Sequence, residues 1–327
     1  MMKPWSSNVS GRNLALDLVR VTEAAALAAS RWIGRGEKNA ADGAAVAAMR
    51  KAFDSVAING TVVIGEGEMD EAPMLFIGER LGMGGPEMDI AVDPLEGTSI
   101  AAKGAANAMA VVALAEHGNF LHAPDIYMDK IAVGPGLPHG TVSLAFTIAE
   151  NLKNLALAKQ SSISDLMVCM LERDRHGEMI AKCREAGARI TLIGEGDVAG
   201  VIAAAQPETG IDLFLGSGGA PEGVLAAAAL RCFGGQMQGR LVFEDDAQIT
   251  RARTMGITDP SRIYDITDIA KGDVMFAATG ITSGQMLRGV KLFGHRATTH
   301  SIVTRSKSGT IRYVEAHHDF RMKTPAE

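Results

Sequence analysis

The stretch "DIAVDPLEGTSIAAKG", residues 89–104, runs an apolar segment straight into two carboxylates, a glycine and a hydroxyl. Ile90 to Val92 reads as the end of a buried strand, and Pro94 with Gly97 marks the turn that bounds it. A buried strand hands its next residues to the rim of a sheet. Asp93, Glu96, Gly97 and Thr98 arriving there together have the composition of a site. The segments on either side decide what kind of sheet presents them.

Upstream, residues 11–33 place Leu14, Leu18, Val21, Ala25, Ala28 and Trp32 at helical spacing, with Ser10 as a cap. "AADGAAVAAMRKAFDSV" (40–56) reads as a second helix. Asn59-Gly60 is a hairpin-type turn signal, followed by a β-branched run from Thr61 to Ile64. Further strand-like runs occupy 89–93, 108–114 and 126–133. This half reads as helices on an antiparallel or mixed sheet, an α+β arrangement.

Downstream the rhythm changes. "DLMVCML", "RITLI" and "IDLFL" are strand-like and alternate with helical stretches ending in "PEGVLAAAALRCF". Alternation at these lengths predicts βαβ units around a parallel sheet. The fold class expected is α/β, divided at the charged, serine-rich "AKQSSISD" into units spanning 1–160 and 161–327.

Composition narrows the function. A hydrophobic fraction of 47% with only 5% aromatics describes an alanine-rich α/β protein with ample core. A net charge of −6 argues against a broad nucleic-acid surface. Cys169, Cys183 and Cys232 form no CxxC pair, so neither a zinc ribbon nor a disulfide framework is supported, and a reducing cytoplasm fits. The first residues lack the apolar core of a signal peptide, and no window approaches the ~18 charge-free apolar residues of a membrane span.

Acidic side chains stand past apolar runs or beside glycine at four places. They are Asp42 in "NAADGAA", Glu66 and Glu68 in "VVIGEGEMDEAP", Asp93 with Glu96 in "VDPLEGT", and Glu222 in "GSGGAPEG". Gathered together they would repel one another, and burial would raise their pKa values. A hard divalent cation removes that penalty, because Mg²⁺ or Mn²⁺ favours oxygen ligands and leaves positions for water and phosphate. Each acid also has an ordinary explanation. Asp42 is a polar residue early in a helix, Glu66 to Glu71 a solvated turn, Asp93 a turn opener, and Glu222 a match to a helix macrodipole. Their conjunction carries the metal reading. Thr98 beside metal-held carboxylates can orient a cation-bound water, with an ST-turn as its alternative.

Phosphate has candidate seats as well. "LGSGGAPEGVLAAAALRC" is a strand, a glycine-rich turn and a helix, whose backbone N–H groups favour an anion; a tight turn without a ligand would read alike. "ERDRHG" (172–177) offers Arg173, Arg175 and His176, either for a terminal phosphate or as a solvated charge cluster. In "GEGDVAG" (194–200), Glu195 and Asp197 suit sugar hydroxyls, unless Asp197 is simply an N-cap. The residues alone describe a divalent-metal hydrolase of a small polyol or sugar phosphate.

"DPLEGT" resembles the Asp-Pro-(Ile/Leu)-(Asp/Glu)-Gly-Thr element of the lithium-sensitive, metal-dependent sugar and inositol phosphatases. With "KNAADGAAVAAMR", "VVIGEGEMDEAPML", "NAMAVVAL", "HAPDIYMDKIAVGPG", "GSGGAPEGV" and "ATGIT" in order, the chain is similar to the class II fructose-1,6-bisphosphatases of the GlpX type from about residue 10 to about 315. The resemblance implies a layered α/β sandwich that uses Mg²⁺ or Mn²⁺. It implies metal ligation by Asp42, Glu66, Asp93, Glu96 and Glu222, most of them in the first unit, with Thr98, Asp42 and Glu66 catalytic. Substrate contacts implied are Glu96, Gly97, Thr98, Tyr127, Arg173, Asp174, Arg175, Glu195, Gly196, Asp197 and Gly219. The reaction implied is release of the 1-phosphate of fructose 1,6-bisphosphate, giving fructose 6-phosphate for gluconeogenesis. Arg173 in place of lysine and Glu195 in place of aspartate depart from the family pattern on the substrate side. Alternatives are a sedoheptulose-1,7-bisphosphatase, an inositol-type monophosphatase and a non-catalytic sugar-phosphate sensor. The partner expected is a small sugar bisphosphate, with neither nucleic acid nor membrane, and the assembly expected is a homo-oligomer, dimer or tetramer.

Overall fold

Strands buried on both faces need cover on both, and that requirement shapes this molecule. The computed structural model describes residues 14–67 and 73–322; the Ser10 cap, the helix start at 11–13 and Glu68 lie outside them. The strands are β1 (Asn59–Ile64), β2 (Arg80–Leu81), β3 (Glu87–Glu96), β4 (Met109–Glu116), β5 (Tyr127–Val133), β6 (Met167–Leu171), β7 (Arg189–Ile193), β8 (Leu213–Gly219), β9 (Gln236–Val242), β10 (Ile263–Asp265), β11 (Val274–Gly280), β12 (Lys291–Phe293), β13 (Arg296–Arg305) and β14 (Thr310–Asp319). The helices are α1 (Leu14–Ser30), α2 (Lys38–Phe53), α3 (Thr98–Lys103), α4 (Ile148–Lys159), α5 (Gly177–Glu185), α6 (Asp197–Ala203), α7 (Ala220–Phe233), α8 (Asp246–Thr254) and α9 (Ile266–Ile269).

Two sheets result among the described residues. One has the order β12-β13-β11-β4-β3-β1-β2, with β14 along the other edge of β13; the second runs β10-β9-β5-β8-β6-β7. Three apolar cores separate the layers. The first packs Leu18, Ala25 and Met49 of α1 and α2 against one face of the first sheet, at Ile90, Val112 and Ala277. The central core joins the opposite face (Ala91, Val111, Phe276) to α6 and α7, and these to Met128, Ala132 and Phe214 of the second sheet. In the third, Leu152, Leu155 and Cys183 of α4 and α5 cover the far face of that sheet at Ile131 and Val168. The order is α, β, α, β, α. Helix α7 lies between two sheets and is buried almost all round, which explains why Ala226 to Ala229 replace an amphipathic stripe.

The α/β class and the sandwich expected from the sequence are present, with three local differences. Asn59-Gly60 does not turn a hairpin. It opens β1, whose Asn59 and Gly60 pair in parallel with Glu87 and Met88 of β3. The second sheet is mixed rather than wholly parallel: β6 runs parallel to β7 and β8, but β5 lies antiparallel to both β8 and β9. Finally, the change of rhythm near residue 160 is not a change of sheet. Strand β5 before it belongs with β6 to β10 after it, and β11 to β14 return to the first sheet. No described helix is long and apolar enough to cross a membrane.

Candidate active site

The run Asp93-Pro94-Leu95-Glu96 solves a geometric problem. Residues three apart in a regular strand point to opposite faces. In β3, however, Asp93 pairs with Val111 and Glu96 with Met109, so three steps on one strand oppose two on the other. The extra residue makes a bulge between Asp93 and Glu96, a span in which Pro94 has no N–H to lose from the ladder. It brings both carboxylates to one side. Gly97 then takes a left-handed φ of 87° and starts α3 with Thr98 as its first residue.

These residues open onto a cleft of about 640 Å³, a volume typical of small-molecule sites. Its lining collects Asp42 from α2, Glu66 after β1, Asp93, Glu96, Gly97 and Thr98, and Gly219 with Glu222 at the start of α7. The lining also carries Tyr127, Arg173, Arg175, Glu195, Gly196 and Asp197. Asp174 is exposed and does not line the cleft. His176, grouped with the arginines on sequence, turns inward instead: Nδ1 donates to the Leu171 carbonyl at 2.7 Å and Nε2 accepts from Ser217 N–H at 2.9 Å. Asp197 does not cap α6. Gly196 is the residue before that helix, and the Asp197 carboxylate accepts from Lys130 Nζ.

Carboxylate oxygens of Asp93, Glu96 and Glu222 all lie within 4.8 Å of one another. Burial is the main cause of every shift in this group. It pushes Glu66 up to about 7, with Asp42 and Glu222 adding repulsion. Asp93 rises to about 8, against an opposing hydrogen bond from Glu96 and with further repulsion from Glu66 and Glu222. Glu96 is raised well above the usual range by burial and then by Asp93 and Asp197. Burial alone raises Asp42. Glu222 is raised too, by burial and Asp197, while Lys130 opposes the rise.

The donor set fits a hard divalent cation. Oε2 of Glu222 is buried without a hydrogen-bond partner, an expensive state that a cation would relieve. Beside it, Gly219 leaves the room: a Cβ there would run into Glu222 Oε2. Asp93 Oδ1 is steadied by Leu95 N–H at 3.0 Å, and Glu96 Oε1 accepts from Val198 N–H at 3.3 Å. In the same lining, Arg175 donates to the Ser217 carbonyl at 2.8 and 3.1 Å and lays its guanidinium 4.6 Å from the Tyr127 ring centroid. That cation–π contact holds the arginine without consuming all its donors.

Three residues of this region escaped the sequence reading. Asp125, just before β5, and Arg251 on α8 both line the cleft. Lys130 lies behind its wall. Asp125 and Lys130 flank Tyr127 in "PDIYMDK", and a lysine set among Met128, Ile131 and Ala132 was a readable signal. Arg251 sits in a polar helix, with nothing to distinguish it from a solvated residue.

A cleft that collects a carboxylate cluster and arginines has the chemistry of a metal-assisted phosphate site. Comparison with known proteins carries this further. Residues 12–318 match the family described as bacterial fructose-1,6-bisphosphatase, glpX-encoded, and the chain belongs to that family. It is 46% identical over 329 aligned positions to fructose-1,6-bisphosphatase 1 class 2 of Escherichia coli (strain K12), covering 96% of this chain and 97% of the relative. The class 2 fructose-1,6-bisphosphatases of Escherichia coli O6:H1 (strain CFT073) and Shigella flexneri match to the same extent.

Proposed function

We propose that this chain hydrolyses the 1-phosphate of fructose 1,6-bisphosphate to give fructose 6-phosphate and phosphate, with the carboxylate cluster and Thr98 at the reacting end of the cleft. The observation that carries the reading is that one cleft holds both a carboxylate cluster and arginines. Asp42, Glu66, Asp93, Glu96 and Glu222 line it together with Thr98, and Arg173, Arg175 and Tyr127 line the same space. A monophosphate would leave one of these two sets without a phosphate to meet.

Asp42, Glu66, Asp93, Glu96 and Glu222 would hold the cation, for which Mg²⁺ or Mn²⁺ suits an all-oxygen set. When bound, it would offset charge on a transferring phosphoryl group and make water more acidic. The hydroxyl of Thr98 would orient the attacking water, and Glu66 or Asp42 would accept its proton. Backbone N–H groups at the Gly219 turn would face the phosphate. Tyr127, Arg173 and Arg175 would anchor the distal phosphate, and Glu195 and Asp197 the sugar hydroxyls. Fixing both phosphates supplies the in-line orientation that phosphoryl transfer needs. The same reading puts the enzyme in the cytoplasm and in gluconeogenesis. The three free, buried cysteines support the former.

Phosphate release by metal-stripped protein, before and after Mn²⁺ or Mg²⁺ is restored, tests the reading, with sedoheptulose 1,7-bisphosphate run in parallel. Metal-dependent release from the fructose substrate is expected. Silence towards it from folded, metal-loaded protein would overturn the proposal, and faster release from the longer sugar would reassign the substrate. Glu222→Gln is expected to raise the half-saturating metal concentration by about tenfold or more. An unchanged metal titration would remove Glu222 from the ligand set.

A further inference from the structure

Lys130 is the side chain whose place is hardest to explain by packing. It shares its face of β5 with Met128 and Ala132, two members of the central core, and is itself fully buried. Nζ donates to Asp197 Oδ2 and, at 2.7 Å, to the Gly219 carbonyl. These acceptors belong to different parts of the cleft wall. Asp197 is the first residue of α6, and Gly219 is the last of β8, immediately before α7. The fit is close: a Cβ at Gly218 would run into Asp197 Oδ2 and lie 3.2 Å from Lys130 Nζ.

A buried ammonium costs several kcal/mol in lost hydration, and a paired carboxylate roughly offsets that cost without a large surplus. An apolar side chain of similar length would fill the same volume at no such cost. Net stability therefore does not account for the pair. What it does supply is a direction. One cation fixes two acceptors that no backbone ladder joins, and both acceptors border the substrate.

We propose that Lys130 is a positioning residue for the sugar-bisphosphate reaction, tying the start of α6 to the turn between β8 and α7. Through Asp197 it sets the carboxylate that meets the sugar. Through the Gly219 carbonyl it sets the turn that meets the phosphate. The distance between those two features of the wall is then fixed before substrate arrives, and Lys130 itself touches neither substrate nor cation. This role rests on the bisphosphatase reading above.

Four full-length forms test it: wild type, Lys130→Met, Asp197→Asn and the double variant. Phosphate release from fructose 1,6-bisphosphate is measured at saturating Mn²⁺, with thermal unfolding alongside. Lys130→Met is expected to raise KM about tenfold or more and to change kcat by less than about threefold. Added to Asp197→Asn, the same substitution is expected to move KM by a smaller factor, about threefold, because only the tie to the Gly219 carbonyl is left to lose. A wild-type KM in Lys130→Met overturns the proposal, as does an equal rise in both backgrounds. Should Lys130→Met fail to fold, the double variant buries no lone charge and is compared with Asp197→Asn alone. A KM about threefold above that of Asp197→Asn supports the proposal, and equal KM values overturn it. A silent wild type, folded and metal-loaded, overturns the bisphosphatase reading and this role with it, whereas an active wild type beside an unmoved Lys130→Met overturns this role alone.

Discussion

Thr98→Ala is expected to lower kcat about 10²–10⁴-fold while KM stays within about threefold of wild type. The side chain begins α3, directly after Gly97 at φ 87°, and lines the cleft beside Asp93 and Glu96. Its hydroxyl is half-buried and small, so it contributes little to holding a sugar bisphosphate that Arg173, Arg175 and Tyr127 would grip from the other end. What it offers is one oxygen able to accept a hydrogen bond from water and pass on a donor to a carboxylate. That service matters chiefly while the water attacks, which places the loss in kcat rather than in KM. Alanine is tolerated at the first position of a helix, so the fold should survive with an unchanged thermal midpoint. Thr98→Ser keeps the oxygen and should retain most of the turnover. Steady-state kinetics on the two variants, with a binding isotherm for substrate on Thr98→Ala, check the split. Wild-type turnover in Thr98→Ala would remove the hydroxyl from the chemical step.

The reading of residues 89–104 shows how far local pattern reaches. It placed Asp93 and Glu96 at a strand end, yet three-residue spacing on a regular strand would have set them on opposite faces. Only the pairing of β3 with β4, which absorbs one extra residue between them, puts them together. Pairing of this kind is a property of two distant segments and leaves no mark in either. Asn59-Gly60 failed for the same reason. Its turn propensity is real but weak, and the parallel partner at Glu87 and Met88 outweighs it. The joint near residue 160 was read from a change in element rhythm, which says nothing about which sheet a strand joins; β5 joins the later one. Helices fared better because their periodicity is local. The run Ala226 to Ala229 announced α7, although its place between two sheets followed only from the three cores. Lys130 was legible as a charge inside an apolar strand, but its partners are 67 and 89 residues away.

Removing divalent cations is expected to make the protein progressively less stable as pH rises from about 5 to about 8.5, and restoring Mn²⁺ should reverse the loss most fully at the alkaline end. Without a cation, Glu66 is held up to about 7 and Asp93 to about 8, from ordinary values of 4.5 and 3.8. Over that interval the folded protein keeps protons that the unfolded chain has already released. Native protein therefore binds more protons than unfolded, and the slope of stability against pH is negative. Below pH ~4 both states are protonated and the penalty vanishes; above pH ~8 it is complete. One pKa unit corresponds to about 1.4 kcal/mol, so the raised values of Glu66 and Asp93 carry a destabilisation on the order of 5–10 kcal/mol once both are ionised, enough to lower Tm by about ten degrees. A cation reverses the argument, since it binds the deprotonated set and displaces those protons, and its affinity must rise over the same interval. Thermal unfolding across pH in chelator, repeated with Mn²⁺, measures both limbs. A metal-free Tm that stays level or climbs between pH 5 and 8.5 would mean that burial and repulsion do not hold these carboxylates protonated in the folded protein. The case for a shared cation site would then lose its electrostatic basis, leaving only the proximity of the Asp93, Glu96 and Glu222 oxygens.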